Sequence, residues 1–287
     1  MGVSVDTRIR CGLIPAGGAG QKGRASGGGS IVDSTQNAFT AGHYAARAQA
    51  YVDSRDHSQG ADLDEMEAVL RGAGAAGWRV LDLGCGGGHV SYRAAPHVDA
   101  VVACDVTATM LEAVARTAAA RGLANVTTQQ AAAERLPFAA GSFDAVLCRF
   151  TAHHWGAVEA GLREARRVVR PGGLAVFMDV VAPPDRAADS HLQAMELLRD
   201  ASHVRDYSVA EWLAMLSGAG FAVETATPRK LRMVFPTWTA RTGVPPETAA
   251  AIRALQEGAS GAVRAHFAIG PDGSFDLDTA TLVARAA

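Results

Sequence analysis

Apolar positions change their spacing near Trp78. Before it, Phe39, Tyr44, Ala48 and Tyr51 recur at helical intervals, and Leu63, Met66, Val69 and Leu70 mark a second amphipathic helix. Beyond it, short apolar runs at Val80–Leu83, Ala100–Cys104, Asn125–Thr128, Ala145–Phe150 and Leu174–Val181 alternate with helical spacing at Ala108–Ala120 and Val158–Val169. Strands that alternate with helices form a parallel sheet covered on both faces. Pro183-Pro184 breaks the pattern, and two helices follow, through Leu192–Ala201 and Val209–Ala219, the second stopped by Gly220. Phe221–Thr225 reads as a sixth strand, and Trp238–Phe267 as a helical insert. A Gly270-Pro271-Asp272-Gly273 turn then leads to an apolar segment around Leu282–Ala284, expected to close the sheet as an antiparallel strand.

Composition narrows the setting of this α/β chain. Its 287 residues are 48% hydrophobic and 20% charged, enough to bury a substantial core. A formal charge of −2 lacks the basic excess of a nucleic-acid binder. No apolar run reaches the roughly 18 residues needed to span a bilayer. Cys11, Cys85, Cys104 and Cys148 are far apart without a C-x-x-C pair, which suits a reducing cytoplasm and offers no metal-ligand set. The first thirty or so residues are rich in glycine (Gly17, Gly18, Gly20, Gly23, Gly27, Gly28, Gly29) and lack periodic apolar positions, so they read as a disordered tail. Arg8, Arg10, Lys22 and Arg24 are not followed by the apolar centre of a signal peptide.

The chemistry concentrates after the first strand. Val80-Leu81-Asp82-Leu83-Gly84-Cys85-Gly86-Gly87-Gly88-His89 runs from strand through glycines into a helix, and side-chain-free residues there let a ligand approach the backbone. Asp105, 21 residues after Gly84, ends the second strand, where a carboxylate can accept bonds from both hydroxyls of a ribose. A dinucleotide fingerprint G-x-G-x-x-G fails, because its third glycine falls on His89. Asp82 also lies where a carboxylate suits a cationic sulfonium and ammonium better than a pyrophosphate. Charge therefore favours S-adenosylmethionine (SAM).

With these residues the chain resembles the class I SAM-dependent methyltransferases, whose first motif, acidic-x-Gly-x-Gly-x-Gly, is met by Asp82, Gly84, Gly86 and Gly88. Asp105-Val106-Thr107-x-x-Met110-Leu111 resembles the family's ribose-binding strand end and the helix whose Met packs beside adenine. Ala133-Glu134-Arg135-Leu136-Pro137-Phe138 with Ser142-Phe143-Asp144 resembles the loop along the adenine, and Arg163 to Gly173 the turn into the fifth strand. Within the class, the group most resembled is the ubiquinone/menaquinone-biosynthesis C-methyltransferase-like one, the methyltransferase type 11 domains. One position departs from it: the Asp or Asn that bonds the adenine amino group is Ala132 here. Adenine recognition is then left to backbone amides near Ala133 and Glu134.

The resemblance implies a Rossmann-like seven-stranded mostly parallel sheet with helices on both faces and an antiparallel last strand, plus N-terminal helices and a helical insert before that strand. Its parts would be a tail at residues 1–35 and one domain at 36–287, divided into N-terminal helices (36–77), SAM-binding core (78–182) and substrate-covering helices with the last strands (183–287). The implied cofactor is SAM, held by Asp82, Gly84, Cys85, Gly86, Gly88, Asp105, Val106, Met110, Ala133, Glu134 and Arg149.

The acceptor is expected beyond the fourth strand, at Arg149-Phe150-Thr151-Ala152-His153-His154-Trp155. Methyl transfer to an O–H or acidic C–H needs a proton acceptor, which a histidine can supply. His154 is the first candidate and His153 the second; adjacent side chains point differently, so one of them is structural. Trp155 serves equally as core or substrate wall. Tyr51, His57, His203, Arg205 and Tyr207 lie in polar segments that in this family cover the acceptor, although the same residues would serve as solvated linkers with helix caps. Arg205 could pair with an acceptor carboxylate.

Other classes fit these residues less well. An NAD(P)-dependent oxidoreductase of the short-chain type needs Tyr-x-x-x-Lys, but the two lysines, Lys22 and Lys230, do not follow a tyrosine at that spacing. A nucleobase amino-methyltransferase would carry Asn/Asp-Pro-Pro-aromatic where Arg149-Phe150-Thr151-Ala152 stands. A SAM-binding protein without catalysis stays open. The expected partner is a small-molecule acceptor, with C- or O-methylation ahead of N-methylation, in a monomer or homodimer without a membrane span.

Overall fold

The computed structural model describes residues 31–45 and 59–287. The glycine-rich tail, Tyr51 and His57 lie outside them.

Eight strands assemble one sheet: β1 (Arg79–Leu83), β2 (Ala100–Asp105), β3 (Val126–Gln130), β4 (Phe143–Arg149), β5 (Val169–Ala182), β6 (Tyr207–Ser208), β7 (Phe221–Met233) and β8 (Phe275–Ala286). Seven follow the order β3-β2-β1-β4-β5-β8-β7, and the two-residue β6 pairs off this path with β5. β1 to β5 are parallel, and β8 runs antiparallel between β5 and β7. This is the expected mostly parallel sheet with an antiparallel last strand. The order reverses between β1 and β4, which opens a crevice at their carboxyl ends.

Ten helices are described: α1 (Ile31–Ala45), α2 (Ala61–Gly72), α3 (His89–Ala94), α4 (Ala108–Ala120), α5 (Val158–Val168), α6 (Arg186–Arg199), α7 (Val209–Ala219), α8 (Phe235–Arg241), α9 (Pro246–Gly258) and α10 (Gly261–His266). The stop at Gly220 comes from its left-handed backbone, φ 92°, and α7 opens with a capping box between Ser208 and Glu211. None of the described helices is long and apolar enough to cross a membrane.

Strand alternation distributes the core over both faces of the sheet. Leu81, Val102, Val146 and Phe177 pack with Leu162 of α5 and Trp212 of α7. Val80, Val101, Leu147 and Val176 pack with Leu63 and Met66 of α2 and Val90 of α3. A third cluster joins Leu192 and Met195 of α6, Trp238 of α8, Ile252 of α9 and Phe267 to Phe275 and Leu277 of β8. Each fully buried large side chain contributes about 1.5–3 kcal/mol. This third cluster explains why β7 and β8 extend well past the expected Phe221–Thr225 and Leu282–Ala284. Their added length carries the helical insert on its inner face, while Arg229, Lys230 and Arg232 on the β7 edge pair with Glu65, Asp278 and Asp276.

Candidate active site

The first turn after β1 is built by its glycines. Gly84 adopts φ 71°, and a Cβ there would stand 2.3 Å from Thr151 Oγ1. Gly86 adopts φ 47° and a Cβ there would meet nothing, because it faces open space. That space is a cavity of about 980 Å³ at the switch between β1 and β4, reaching from Asp82 and Asp105 to Phe150 and His154. Gly84→Ala is expected to lower stability by about 1–3 kcal/mol, the strain of a left-handed non-glycine residue, before the Thr151 clash is added. A urea titration measures it, and an unmoved midpoint would show that the Thr151 loop yields freely.

Two carboxylates frame this cavity. Asp82 Oδ2 accepts from Ser91 N–H (3.0 Å) and Ser91 Oγ (2.6 Å), while Oδ1 is buried without a hydrogen-bond partner among the described residues. Burial raises the Asp82 pKa to about 7 against the two bonds from Ser91. Asp105 accepts from the N–H groups of Gly86 (2.9 Å) and Thr107 (2.8 Å), so it ties the glycine loop to the head of α4. Burial raises its pKa too, and these amides oppose the shift.

Of the residues expected at the cofactor, Asp82, Gly84, Cys85, Gly86, Asp105, Val106, Met110, Ala133 and Arg149 line the cavity. Gly88 and Glu134 do not. Gly88 caps α3, and Glu134 accepts from Asn37 of α1 (3.2 Å), bracing that helix over the cavity. Arg149 is held by a carboxylate of α2, Asp62. Asn37, Thr40 and Tyr44 of α1 also line it.

A second cavity of about 620 Å³ lies beyond β4 and shares Tyr44, Phe150 and His154 with the first. Phe150 carries a left-handed backbone, φ 50°, costly for an aromatic residue and held by its N–H to Met178 O (2.9 Å).

The paired histidines differ in every respect. His153 Nδ1 meets Asp179 Oδ1 at 2.6 Å, and none of the described residues bonds its Nε2. The other oxygen of Asp179 accepts from Ala152 N–H (3.1 Å), which fixes the loop that carries the ring. Burial works against a charge on His153, but Asp179, backed by Asp206, overrides it and raises the pKa to about 9. His154 has both nitrogens engaged, Nε2 with Tyr44 Oη (3.1 Å) and Nδ1 with Ser202 (3.2 Å). Burial and the neighbouring His153 charge lower its pKa to about 3. His153 lines only the second cavity.

The remaining acceptor candidates are placed elsewhere. His203 is buried, with Nε2 2.9 Å from Gln193 Oε1. Arg205 is held by Asp189 (3.0 Å) and Glu211 (3.5 Å), and Tyr207 packs against Trp212. All three line neither cavity. Asp179 was not singled out from the sequence, although an acid inside the apolar run Leu174–Val181 is a readable signal. Arg199 and Asp206 of the second cavity lie in the same polar segment as His203, Arg205 and Tyr207, whereas Tyr44, Trp238 and Arg241 carried no such mark.

Comparison with known proteins now bears on this geometry. The methyltransferase domain family matches residues 81–177, from β1 into β5. YafE of Escherichia coli K12 is 46% identical over 191 residues, which are 67% of this chain and 92% of YafE. YcgJ of Bacillus subtilis, described as a methyltransferase, is 35% identical over 202 residues, 70% of this chain and 79% of YcgJ. The crystal structure of YcgJ superposes with a TM-score of 0.75 at 33% identity, covering 78% of this chain and 97% of the other. The chain belongs to the class I SAM-dependent methyltransferases. Its activity is therefore methyl transfer, with SAM as the donor, and the oxidoreductase alternative falls away. The cavity of this methyltransferase fits the donor on its own evidence: a buried Asp82 oxygen without a partner among the described residues, for a cation, and open space where Gly86 lacks a side chain.

Proposed function

We propose that this methyltransferase acts on a small molecule held in the second cavity, with His153 and Asp179 handling the acceptor's proton. The observation that supports the reading is the joint wall of Tyr44, Phe150 and His154, which the two cavities share at the end of β4.

SAM supplies an electrophilic methyl group on a sulfonium sulfur. Asp82 would hold the positively charged methionine portion, which also returns its own carboxyl to the charged state. Asp105 would take the ribose hydroxyls with lone pairs left over from its two amide bonds, and Val106, Met110 and Ala133 would enclose the base. Arg149 would meet the methionine carboxylate. On the acceptor side, His153 Nε2 would remove a proton from an O–H or acidic C–H, while Asp179 holds the ring by Nδ1 and stabilises the imidazolium that results. His154, engaged at both nitrogens, would shape the opening between the cavities. Three buried free cysteines, Cys85, Cys104 and Cys148, support a cytoplasmic setting.

A ubiquinone/menaquinone biosynthesis C-methyltransferase of Rhizobium meliloti is 34% identical over 120 residues. That match covers 40% of this chain and 46% of the relative, too little to carry an acceptor across. The test is Leu231→Trp, which places an indole in the second cavity from a half-buried position. SAM affinity by calorimetry is expected to stay unchanged, while label transfer from methyl-labelled SAM to metabolite extract stops. Full transfer by this variant would move the acceptor elsewhere.

A further inference from the structure

We infer that Asp200 is a positioning residue for methyl transfer: it lines neither cavity and seats Tyr44 and, through Ser202, His154, the two polar side chains of the wall that both cavities share. The inference rests on the reading of the second cavity as the acceptor pocket and adds a residue that this reading does not use.

Tyr44 of α1 and His154 after β4 are 110 residues apart in the chain. Their rings meet edge to face with centroids 5.4 Å apart, and Tyr44 Oη lies 3.1 Å from His154 Nε2. Asp200, which follows α6, is buried, and its Oδ2 accepts from Tyr44 Oη at 2.5 Å. Its Oδ1 accepts from Ser202 N–H (2.9 Å) and Ser202 Oγ (2.6 Å), and Ser202 Oγ lies 3.2 Å from His154 Nδ1. The four side chains close a ring drawn from α1, the loop after β4 and the segment after α6. Further ties run beside it: Gln36 Nε2 donates to Ser202 O (2.9 Å), and His43 Nε2 stands 3.2 Å from Asp200 Oδ1. Gln36 and Tyr44 are about 12 Å apart along the axis of α1, so the helix is pinned to one segment at two heights.

The count of hydrogens gives the acid its role. An ionised carboxylate only accepts, so the hydroxyl hydrogens of Tyr44 and Ser202 are both committed to Asp200, and both hydroxyl oxygens are left to accept from His154. A neutral His154 has one N–H to give, and burial with the neighbouring His153 charge keeps it neutral. Asp200 thereby sets the direction of the hydrogen bonds around the ring, and with it the seating of the Tyr44 and His154 rings. Apolar packing does less here, since Tyr44 shares a small cluster with Met110 and Ala113 of α4. Donor and acceptor atoms must be held in line for displacement at the methyl carbon, and a misplacement of about 1 Å costs about a hundredfold in rate. A wall whose two polar members are seated by one buried carboxylate meets that demand.

The test uses the full chain, with S-adenosylhomocysteine as the probe of the donor cavity and methyl-labelled SAM with a dilution series of metabolite extract as the assay. Calorimetry gives the number of donor sites, and kcat is expressed per site, so that loss of folded protein does not register. Asp200→Ala is expected to lower kcat by about tenfold to a hundredfold, with S-adenosylhomocysteine affinity and the extract dilution at half-maximal rate each within about threefold of the parent. Asp200→Asn, which keeps one accepting oxygen, should recover part of the loss. Tyr44→Phe leaves the bonds between Asp200 and Ser202 in place and is expected to lower kcat by a similar factor; it carries the test if Asp200→Ala does not fold. In Tyr44→Phe/Asp200→Asn the combined loss should fall short of the product of the single losses, because both changes cut one link. Parent-like kcat per site in the single variants, a loss confined to the number of sites, an Asp200→Asn enzyme no better than Asp200→Ala, or losses that multiply in full overturn the positioning role. In those cases absence of transfer in Leu231→Trp keeps the pocket assignment, and full transfer by it overturns that as well.

Discussion

His153→Ala is expected to lower turnover by about a hundredfold to ten-thousandfold, the usual worth of a positioned proton acceptor, with SAM affinity unchanged. The pH dependence separates this role from a structural one. The His153 pKa is raised to about 9 by Asp179 and Asp206 against burial, so only a small fraction of the ring is neutral at pH 7. For the parent enzyme, kcat/KM should climb by about tenfold per pH unit from pH 7 and level off near pH 9. Asp179→Asn removes the charge that holds the proton, and the plateau should move to lower pH. Stability runs the other way. A histidine whose folded pKa lies above its unfolded 6.5 stabilises the fold fully below pH 6.5, and that contribution disappears as pH rises through 9. His154, lowered to about 3, has the opposite sign: its contribution is present above pH 6.5 and is lost as pH falls toward 3. Melting curves of His153→Ala and His154→Ala beside the parent check both signs. A His153→Ala enzyme with a parent-like pH profile would remove the residue from the chemistry.

Asp105→Ala is expected to weaken SAM binding by about tenfold to a hundredfold, as befits loss of about 1.5–3 kcal/mol of charge-assisted hydrogen bonding. The fold will not be indifferent. The carboxylate also receives the Gly86 and Thr107 amides, so its loss leaves two donors at the cavity edge to find water and loosens the glycine loop from α4. A lower melting temperature should accompany the affinity loss. Asp105→Asn separates the two effects, because its amide oxygen can still accept one of these bonds while the charge is gone. Calorimetry with S-adenosylhomocysteine reads affinity, and parent-like binding by Asp105→Ala would move the ribose away from β2.

The proposed cofactor half was readable because the residues that form it are local. Asp82, the glycines and Asp105 sit at strand ends whose spacing alone brings them to one crevice, and the structure places them around one cavity. The proposed acceptor half was not, because the walls of the second cavity come from α1, the loop after β4, β5, α6, β7, α8 and β8. Arg205 shows how the sequence misleads there. It stands in the right segment, but Asp189 of α6 and Glu211 of α7 hold it, while Arg199 and Arg241, from two helices far apart in the chain, reach the cavity.

By itself the sequence determined the alternating sheet, the glycine turn after β1 and the stop at Gly220, and it pointed to the loop after β4 as the candidate place of the chemistry. These follow from periodicity and from backbone demands that nearby residues meet. Tertiary structure decided how the two histidines differ. His153 and His154 are neighbours of the same type, and only folding sets Asp179 of β5 against one ring and Tyr44 of α1 with Ser202 against the other. Burial opposes a charge on both rings, and Asp179 overrides it at His153, whereas at His154 burial and the neighbouring His153 charge act together to lower the pKa. Such neighbours are chosen by packing across the chain, which no local pattern encodes.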